Sequence, residues 1–193
     1  MATFILVRHG EGTHNLAAET EGDAAYSNPA HRDARLTPKG VQQARDAGVA
    51  IAATWPNVTA VWSSPLTRCI QTATHILNSV KVPAGSLFLH DYLLERQMKD
   101  NVCNYRAETT EIREEWPEFK AHYLPSVVSH WVEEEPGHVV KQRMMMLLEH
   151  LKRKYTSGTV LIVCHQDSIY EVIGRALANA EFVVWGASHQ SQM

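Results

Sequence analysis

The apolar positions of the chain form two kinds of run. Thr3-Phe-Ile-Leu-Val7 is short, continuous and β-branched and ends at Arg8-His9-Gly10, which predicts a buried strand delivering polar residues at its C-terminal end. Thr159-Val-Leu-Ile-Val-Cys164 is the most strand-like run and delivers His165 in the same way. Ala60-Val-Trp-Ser-Ser64 predicts another strand, and Glu181 to Trp185 a last edge strand. Helical spacing lies between them. Thr37-Pro38 offers an N-cap and a proline for the first helical position, and Val41, Ala44, Gly48, Ile51, Ala52 and Trp55 share one face before Pro56 stops the helix. Ser64-Pro65 predicts a helix through about Asn78 by the same cap chemistry. Val140, Met144, Leu147, Leu148 and Leu151 mark a further amphipathic helix, and Asp167 is placed to cap one reaching about Ala178.

Two stretches lack a clear period. Residues 11–36 are polar and predict a loop with a helical turn; a long loop beside a strand end usually serves a site. Residues 83–136 mix aromatic, acidic and proline residues and predict an insertion covering the site, with short helices around Thr110 to Trp116 and Phe119 to Tyr123. Strands alternating with helices predict an α/β fold, a three-layer α/β/α sandwich around a mostly parallel sheet, with ligand chemistry at the C-terminal strand ends.

Composition narrows the function. A chain of 193 residues with 45% apolar residues can bury one substantial core, so residues 1–193 are expected to form a single domain. Eighteen Lys plus Arg against 21 Asp plus Glu give a formal charge of −3, too balanced to suggest a nucleic-acid or membrane-surface partner. Cys69, Cys103 and Cys164 are odd in number and form no C-x-x-C pair, which fits a reducing compartment. The apolar run at Met1 to Val7 is shorter than a signal segment and lacks a basic flank, and nothing approaches the ~20 apolar residues of a membrane span. The expectation is a cytoplasmic protein acting on a small molecule.

Two parallel strands ending in His9 and His165, with Arg8 beside the first, predict convergence at one sheet edge. The pairing suits phosphate, because a guanidinium binds phosphate oxygens in a bidentate fork while a neutral imidazole nitrogen can attack phosphorus. Arg68, in the first turn of its helix, adds a cation where free backbone N–H groups also favour an anion. Other groups have plainer readings. Met144-Met145-Met146 reads as core filling, Cys164 as packing, and Glu133 to Glu135 between His130 and His138 as a solvated loop rather than a metal site. Arg106 and Arg143 read either as substrate contacts or as surface salt bridges.

The run Leu6-Val-Arg8-His9-Gly10-Glu11-Gly12-Thr13-His14-Asn15 resembles the signature of the histidine phosphatase superfamily, with its phosphoglycerate mutase-like fold. Leu36-Thr37-Pro38-Lys39-Gly40-Val-Gln42-Gln-Ala44 is similar to its second block, Ser63-Ser64-Pro65-Leu66-Thr67-Arg68-Cys69-Ile-Gln71-Thr72-Ala73 to its third, and the strand ending at His165 to its last, in order over residues 4 to about 175. The resemblance implies that His9 becomes phosphorylated, that Arg8, Arg68 and His165 hold the phosphoryl oxygens, and that Asn15 helps bind phosphate. Gln166 is placed in the phosphate-binding set; the family often has Gly-His-Gly where this chain has Cys164-His165-Gln166, and Cys-His-Gln resembles the fructose-2,6-bisphosphatase branch. Glu95, in Tyr92-Leu-Leu-Glu95-Arg96, is expected to be the general acid, with Asp91, Glu108 and Glu111 as competing carboxylates. Gly12 stands where Ser or Thr is commoner. The implied reaction is hydrolysis of a small phosphorylated substrate with neither metal nor other cofactor; mutase activity and a non-catalytic binding module are the alternatives.

Overall fold

A computed structural model describes residues 1–124 and 133–186. In chain order it contains β1 (Thr3–Arg8), α1 (Thr13–Glu21), α2 (Ala24–Ser27), α3 (Pro38–Thr54), β2 (Ala60–Ser63), α4 (Thr67–Leu77), β3 (Leu87–His90), α5 (Thr109–Glu115), β4 (Lys120–Tyr123), α6 (Gly137–Lys154), β5 (Thr159–Cys164), α7 (Gln166–Ile173) and β6 (Phe182–Trp185). Three short 3-10 turns, Pro29–His31, Asp91–Leu93 and Val102–Asn104, lie between them.

The strands form one sheet in the order β4-β3-β2-β5-β1-β6. Every pairing is parallel except β1 with β6, which lies antiparallel at the edge. All six residues of β5 are buried, as a continuous Val/Leu/Ile run requires when helices cover both faces. Period-2 alternation divides the core. Phe4, Leu6, Trp62, Val160 and Ile162 face α6 and α7, while Ile5, Val7, Val61, Leu161 and Val163 face α3 and α4. The result is the three-layer sandwich, and all five apolar residues that marked α6 are buried.

Several sequence expectations need correction. Residues 11–36 are largely helical, because α1 and α2 and a 3-10 turn fill the stretch read as a loop. Those helices pack locally and bury little, His14 and Ala25 being their buried residues, so no apolar period marks them. The helix expected at Phe119 to Tyr123 is instead the edge strand β4, which begins at Lys120. Its partner β3 gave no clear sequence signal. α7 ends at Ile173, with Gly174 in the left-handed conformation just after it, well short of Ala178, and His165 rather than Asp167 is its N-cap. Helix α4 starts at Thr67, two residues later than the Ser64 cap and Pro65 start suggested.

The reason for the last shift is a cap supplied from a distance. Asp33 Oδ1 accepts a hydrogen bond from Thr67 N at 2.8 Å, and Oδ2 accepts from the Thr67 hydroxyl at 2.8 Å and from Ala107 N at 3.2 Å. One carboxylate thereby joins the segment before α3, the start of α4 and the segment before α5, and places Arg68 in the first turn. Asp33→Ala is expected to remove about 1–2 kcal/mol and lower Tm by roughly 3–6 °C. Asp33→Asn, which keeps one acceptor, should recover part of that loss; a melting curve unchanged by the alanine variant would refute the cap's contribution.

Candidate active site

The parallel β1–β5 register pairs Arg8 with Cys164, so the next residue of each strand, His9 and His165, emerges at the same sheet edge. Their ring centroids are 5.1 Å apart. The backbone is pinned there: His9 N donates to Cys164 O at 3.0 Å, and His9 O accepts from Ala180 N at 3.1 Å.

The following turn is held by backbone-to-backbone contact that only glycine permits. A Cβ on Gly10 would lie 2.4 Å from Gly40 O, and a Cβ on Gly40 would lie 2.1 Å from Glu11 O. The second sequence block therefore serves the first. Glu11 is buried and accepts from the Thr37 hydroxyl at 2.7 Å and from Lys39 Nζ at 2.6 Å. These partners hold its carboxyl below the usual pKa range despite the opposing cost of burial.

His9 is 2% exposed. Its Nδ1 lies 2.7 Å from Gly10 O. A carbonyl can only accept, so Nδ1 carries the hydrogen and Nε2 keeps its lone pair. Arg68 Nε donates to that nitrogen at 3.3 Å. Burial, then the Arg68 guanidinium, the neighbouring His14 imidazole and the Arg8 guanidinium, hold the His9 pKa well below that of an ordinary histidine. The ring is thus uncharged, with the Nε2 lone pair directed at the Arg68 guanidinium.

Arg68 is almost fully buried, yet its guanidinium is fully oriented: Nη1 donates to Cys103 O at 2.7 Å and Nη2 to Asn104 Oδ1 at 2.8 Å. Arg8 Nη1 donates to Leu177 O at 2.7 Å, while its buried Nε has no partner. Arg8, His9, Asn15, Arg68, Glu95 and Gln166 all line one cavity of about 250 Å³. His165 does not line it. That ring is fully buried, bonded through Nε2 to Ser64 Oγ at 2.8 Å, and its pKa is depressed first by burial and then by Arg68. Asn15 Oδ1 accepts from Gly12 N at 3.0 Å and so also closes the first turn of α1.

Glu95 lies at the start of α7, where free N–H groups accumulate. Its Oε1 accepts from Arg96 N at 2.9 Å and Ser168 N at 3.2 Å, and Oε2 accepts from Asp167 N at 3.4 Å. Burial, and then the Asp167 carboxylate, raise its pKa above the ordinary Glu value despite these donors. The competing carboxylates are occupied elsewhere. Asp91 is held by the buried Arg106 guanidinium at 3.1 Å, and Glu111 accepts from Glu108 N at 2.9 Å to close the start of α5.

Arg106 and Arg143 are structural ties rather than cavity residues. Arg143 bonds both carboxylate oxygens of Glu135 and the carbonyls of Tyr92, Leu94 and Glu95. The acidic run is a loop before α6 in which Glu133 and Glu134 are exposed and pair with Lys99 and Arg96, whereas Glu135 is buried against Arg143. It clasps the segment that carries Glu95. His130 lies outside the described residues, and among the described residues no group of three His, Cys, Asp or Glu could hold a metal ion.

Sequence reasoning missed several cavity residues. His14, Tyr26, Arg96, Met98, Asn101, Cys103, Asn104 and Asp167 also line it. His14 carried a usable signal, because a Cβ on Gly12 would lie 2.7 Å from its ring: the imidazole fills the space that a Ser or Thr side chain would need. Burial and nearby cations push its pKa down to about 2.

The sequence pattern of the histidine phosphatase superfamily (branch 1) matches residues 4–190. A "Probable phosphoglycerate mutase" of Arthroderma benhamiae is 27% identical over 135 residues, 62% of this chain and 40% of that protein. The chain spans between 16% and 40% of the length of the curated relatives it matches. Among solved structures, the Mycobacterium tuberculosis Rv3214 product superposes with a TM-score of 0.62 at 20% identity, covering 98% of this chain and 93% of that one. The ecdysone phosphate phosphatase from Bombix mori, in complex with tungstate, gives 0.67 at 14% identity, covering 94% and 88%. At these identities the structures establish the fold. Among the described residues no helix is long and apolar enough to cross a membrane.

Proposed function

Since the chain belongs to the histidine phosphatase superfamily (branch 1), we propose that it hydrolyses phosphate monoesters through a phosphohistidine at His9, without a metal. One observation carries this reading: the His9 Nε2 lone pair lies within 3.3 Å of an oriented, buried Arg68 guanidinium. An anion drawn to Arg68 and Arg8 is thereby brought against the nucleophile.

In the first step, Nε2 attacks phosphorus as the bond to the ester oxygen breaks, and the protonated Glu95 carboxyl gives its proton to the departing alkoxide. The ring becomes cationic, and its Nδ1–H donates more strongly to the Gly10 carbonyl that already holds it. In the second step, the Glu95 carboxylate takes a proton from water as the water oxygen attacks the phosphohistidine. Inorganic phosphate leaves, and both side chains return to their starting states. Arg8 and Arg68 neutralise the equatorial oxygens, with Asn15 and Gln166 as further donors around that position, while the buried His165, bonded to Ser64 Oγ, packs beside the His9 ring. Two guanidinium groups supply the charge that a divalent ion supplies in other phosphoryl-transfer sites.

The test is to trap the intermediate. Mixing the protein with an aryl phosphate in chelator and quenching in alkali should leave alkali-stable, acid-labile phosphate on the peptide containing His9. Phosphate on a different residue, or turnover that disappears with the metal, would sink this reading.

A further inference from the structure

Once an ester phosphate is placed between Arg8, Arg68 and His9, the cavity has to accommodate the alcohol portion. The charges left there are few. Among the described residues the cavity wall carries three guanidinium groups, Arg8, Arg68 and Arg96, and two carboxyl groups, Glu95 and Asp167, with no lysine. Residues 125–132 and 187–193 contain neither Lys nor Arg.

Arg96 is the one cation not assigned to the phosphoryl group, and it is already engaged. Its Nη2 lies 2.5 Å from Glu134 Oε1, and its Nε donates to Glu135 O at 2.8 Å. Asp167 lies close enough to Glu95 to raise the pKa of that carboxyl. His14 is uncharged, because burial and the surrounding cations hold its pKa at about 2. Tyr26 and Met98 present an aromatic ring and a thioether on the same wall. A second anionic group on the substrate would therefore meet Asp167 and an Arg96 guanidinium already shared with Glu134, with its desolvation poorly compensated. An uncharged ring would meet the Tyr26 and Met98 side chains without that cost.

Resting on the phosphatase reading above, we propose that the site selects phosphate monoesters of uncharged alcohols, aryl alcohols included, and discriminates against those bearing a second anion such as a carboxylate or a further phosphate. The Glu134–Arg96 ion pair enforces the selection by engaging the one guanidinium of the wall, among the described residues, that is not assigned to the phosphoryl group. The same charge arrangement disfavours phosphoglycerates, and with them the mutase alternative.

The test compares phenyl phosphate with 4-carboxyphenyl phosphate, which differ by one carboxylate remote from the ester oxygen. The carboxylate makes the phenol a slightly better leaving group, so intrinsic reactivity opposes the expected result. We expect kcat/KM to favour phenyl phosphate by at least about tenfold, and Glu134→Gln to raise kcat/KM for the carboxylated ester relative to that for phenyl phosphate about three- to tenfold. Glu134 is an exposed side chain, so its loss should leave the fold intact, as a melting curve checks. Turnover of both esters within twofold of each other, dependent on His9, would overturn the selectivity and leave the phosphatase reading standing. A gap that Glu134→Gln does not narrow would overturn the role of the ion pair. Absence of His9-dependent turnover with either ester would overturn the phosphatase reading itself.

Discussion

His9→Ala is expected to lower kcat for an aryl phosphate by at least about 10⁴-fold, because it removes the atom that forms the covalent intermediate. Binding should survive. Arg68 loses one bond, the 3.3 Å contact to Nε2, but keeps those to Cys103 O and Asn104 Oδ1, so the guanidinium stays aimed at the same place. Inorganic phosphate should therefore bind the variant with a Kd within about tenfold of the parent, the loss of one modest donor. This split between binding and turnover separates a nucleophile from a structural histidine. His9→Gln, which fills more of the buried space, guards against a packing defect in the alanine variant. Turnover within tenfold of the parent in either folded variant would exclude His9 as the nucleophile.

Much of this site was legible in the sequence, and the reason lies in backbone geometry. Arg8, His9 and His165 follow continuous apolar strands, and a strand's end in a parallel sheet fixes where the next residues emerge. Arg68 was legible because Ser64-Pro65 announced a helix with Arg68 in its first turn, although the helix itself opens at Thr67. What a one-dimensional pattern could not reveal was which distant residue holds each element. Asp33 caps α4 across 34 positions of chain, and the carboxylates of Glu133, Glu134 and Glu135, which read as a solvated run, each hold a cation. Charge runs look alike in sequence whether their partners are water or arginine. α1 and α2 stayed hidden for another reason: they present little apolar surface to the core, and periodicity detects only burial.

The buried polar contacts also explain why the sequence blocks occur together. Gly10 and Gly40 touch through backbone, Glu11 bonds Thr37 and Lys39, and Gly10 N donates to the Thr72 hydroxyl at 3.0 Å. Thr72 in turn donates to Arg68 O at 2.7 Å. The turn carrying His9 is thus tied to the start of α3 and to the first turns of α4, and a shift in either helix would move the His9 ring relative to Arg68. Such tight coupling suits a reaction that depends on placement, where a displacement of about 1 Å can cost ~100-fold.

Glu95→Gln should have an effect that depends on the alcohol released. For an alkyl phosphate, whose alkoxide cannot depart without a proton, kcat/KM should fall by about 10²–10⁴-fold. For an activated aryl phosphate, whose phenolate leaves readily, the fall in kcat/KM should be less than about tenfold. Water attack on the phosphohistidine also needs the carboxylate, so the variant should accumulate phosphoenzyme and release a burst of phenol approaching one per chain. The pH dependence has a definite sign. The proton-donating form of Glu95 exists below its raised pKa and is lost as pH rises through it, while the depressed pKa of His9 keeps Nε2 unprotonated far into the acid range. Alkyl phosphate hydrolysis should therefore be fastest at mildly acidic pH and decline toward alkaline pH, and Glu95→Gln should flatten that decline. An equal loss for alkyl and aryl esters, or an unchanged alkaline limb, would transfer the proton donor's role to a different group, with Asp167 the other carboxyl on the cavity wall among the described residues.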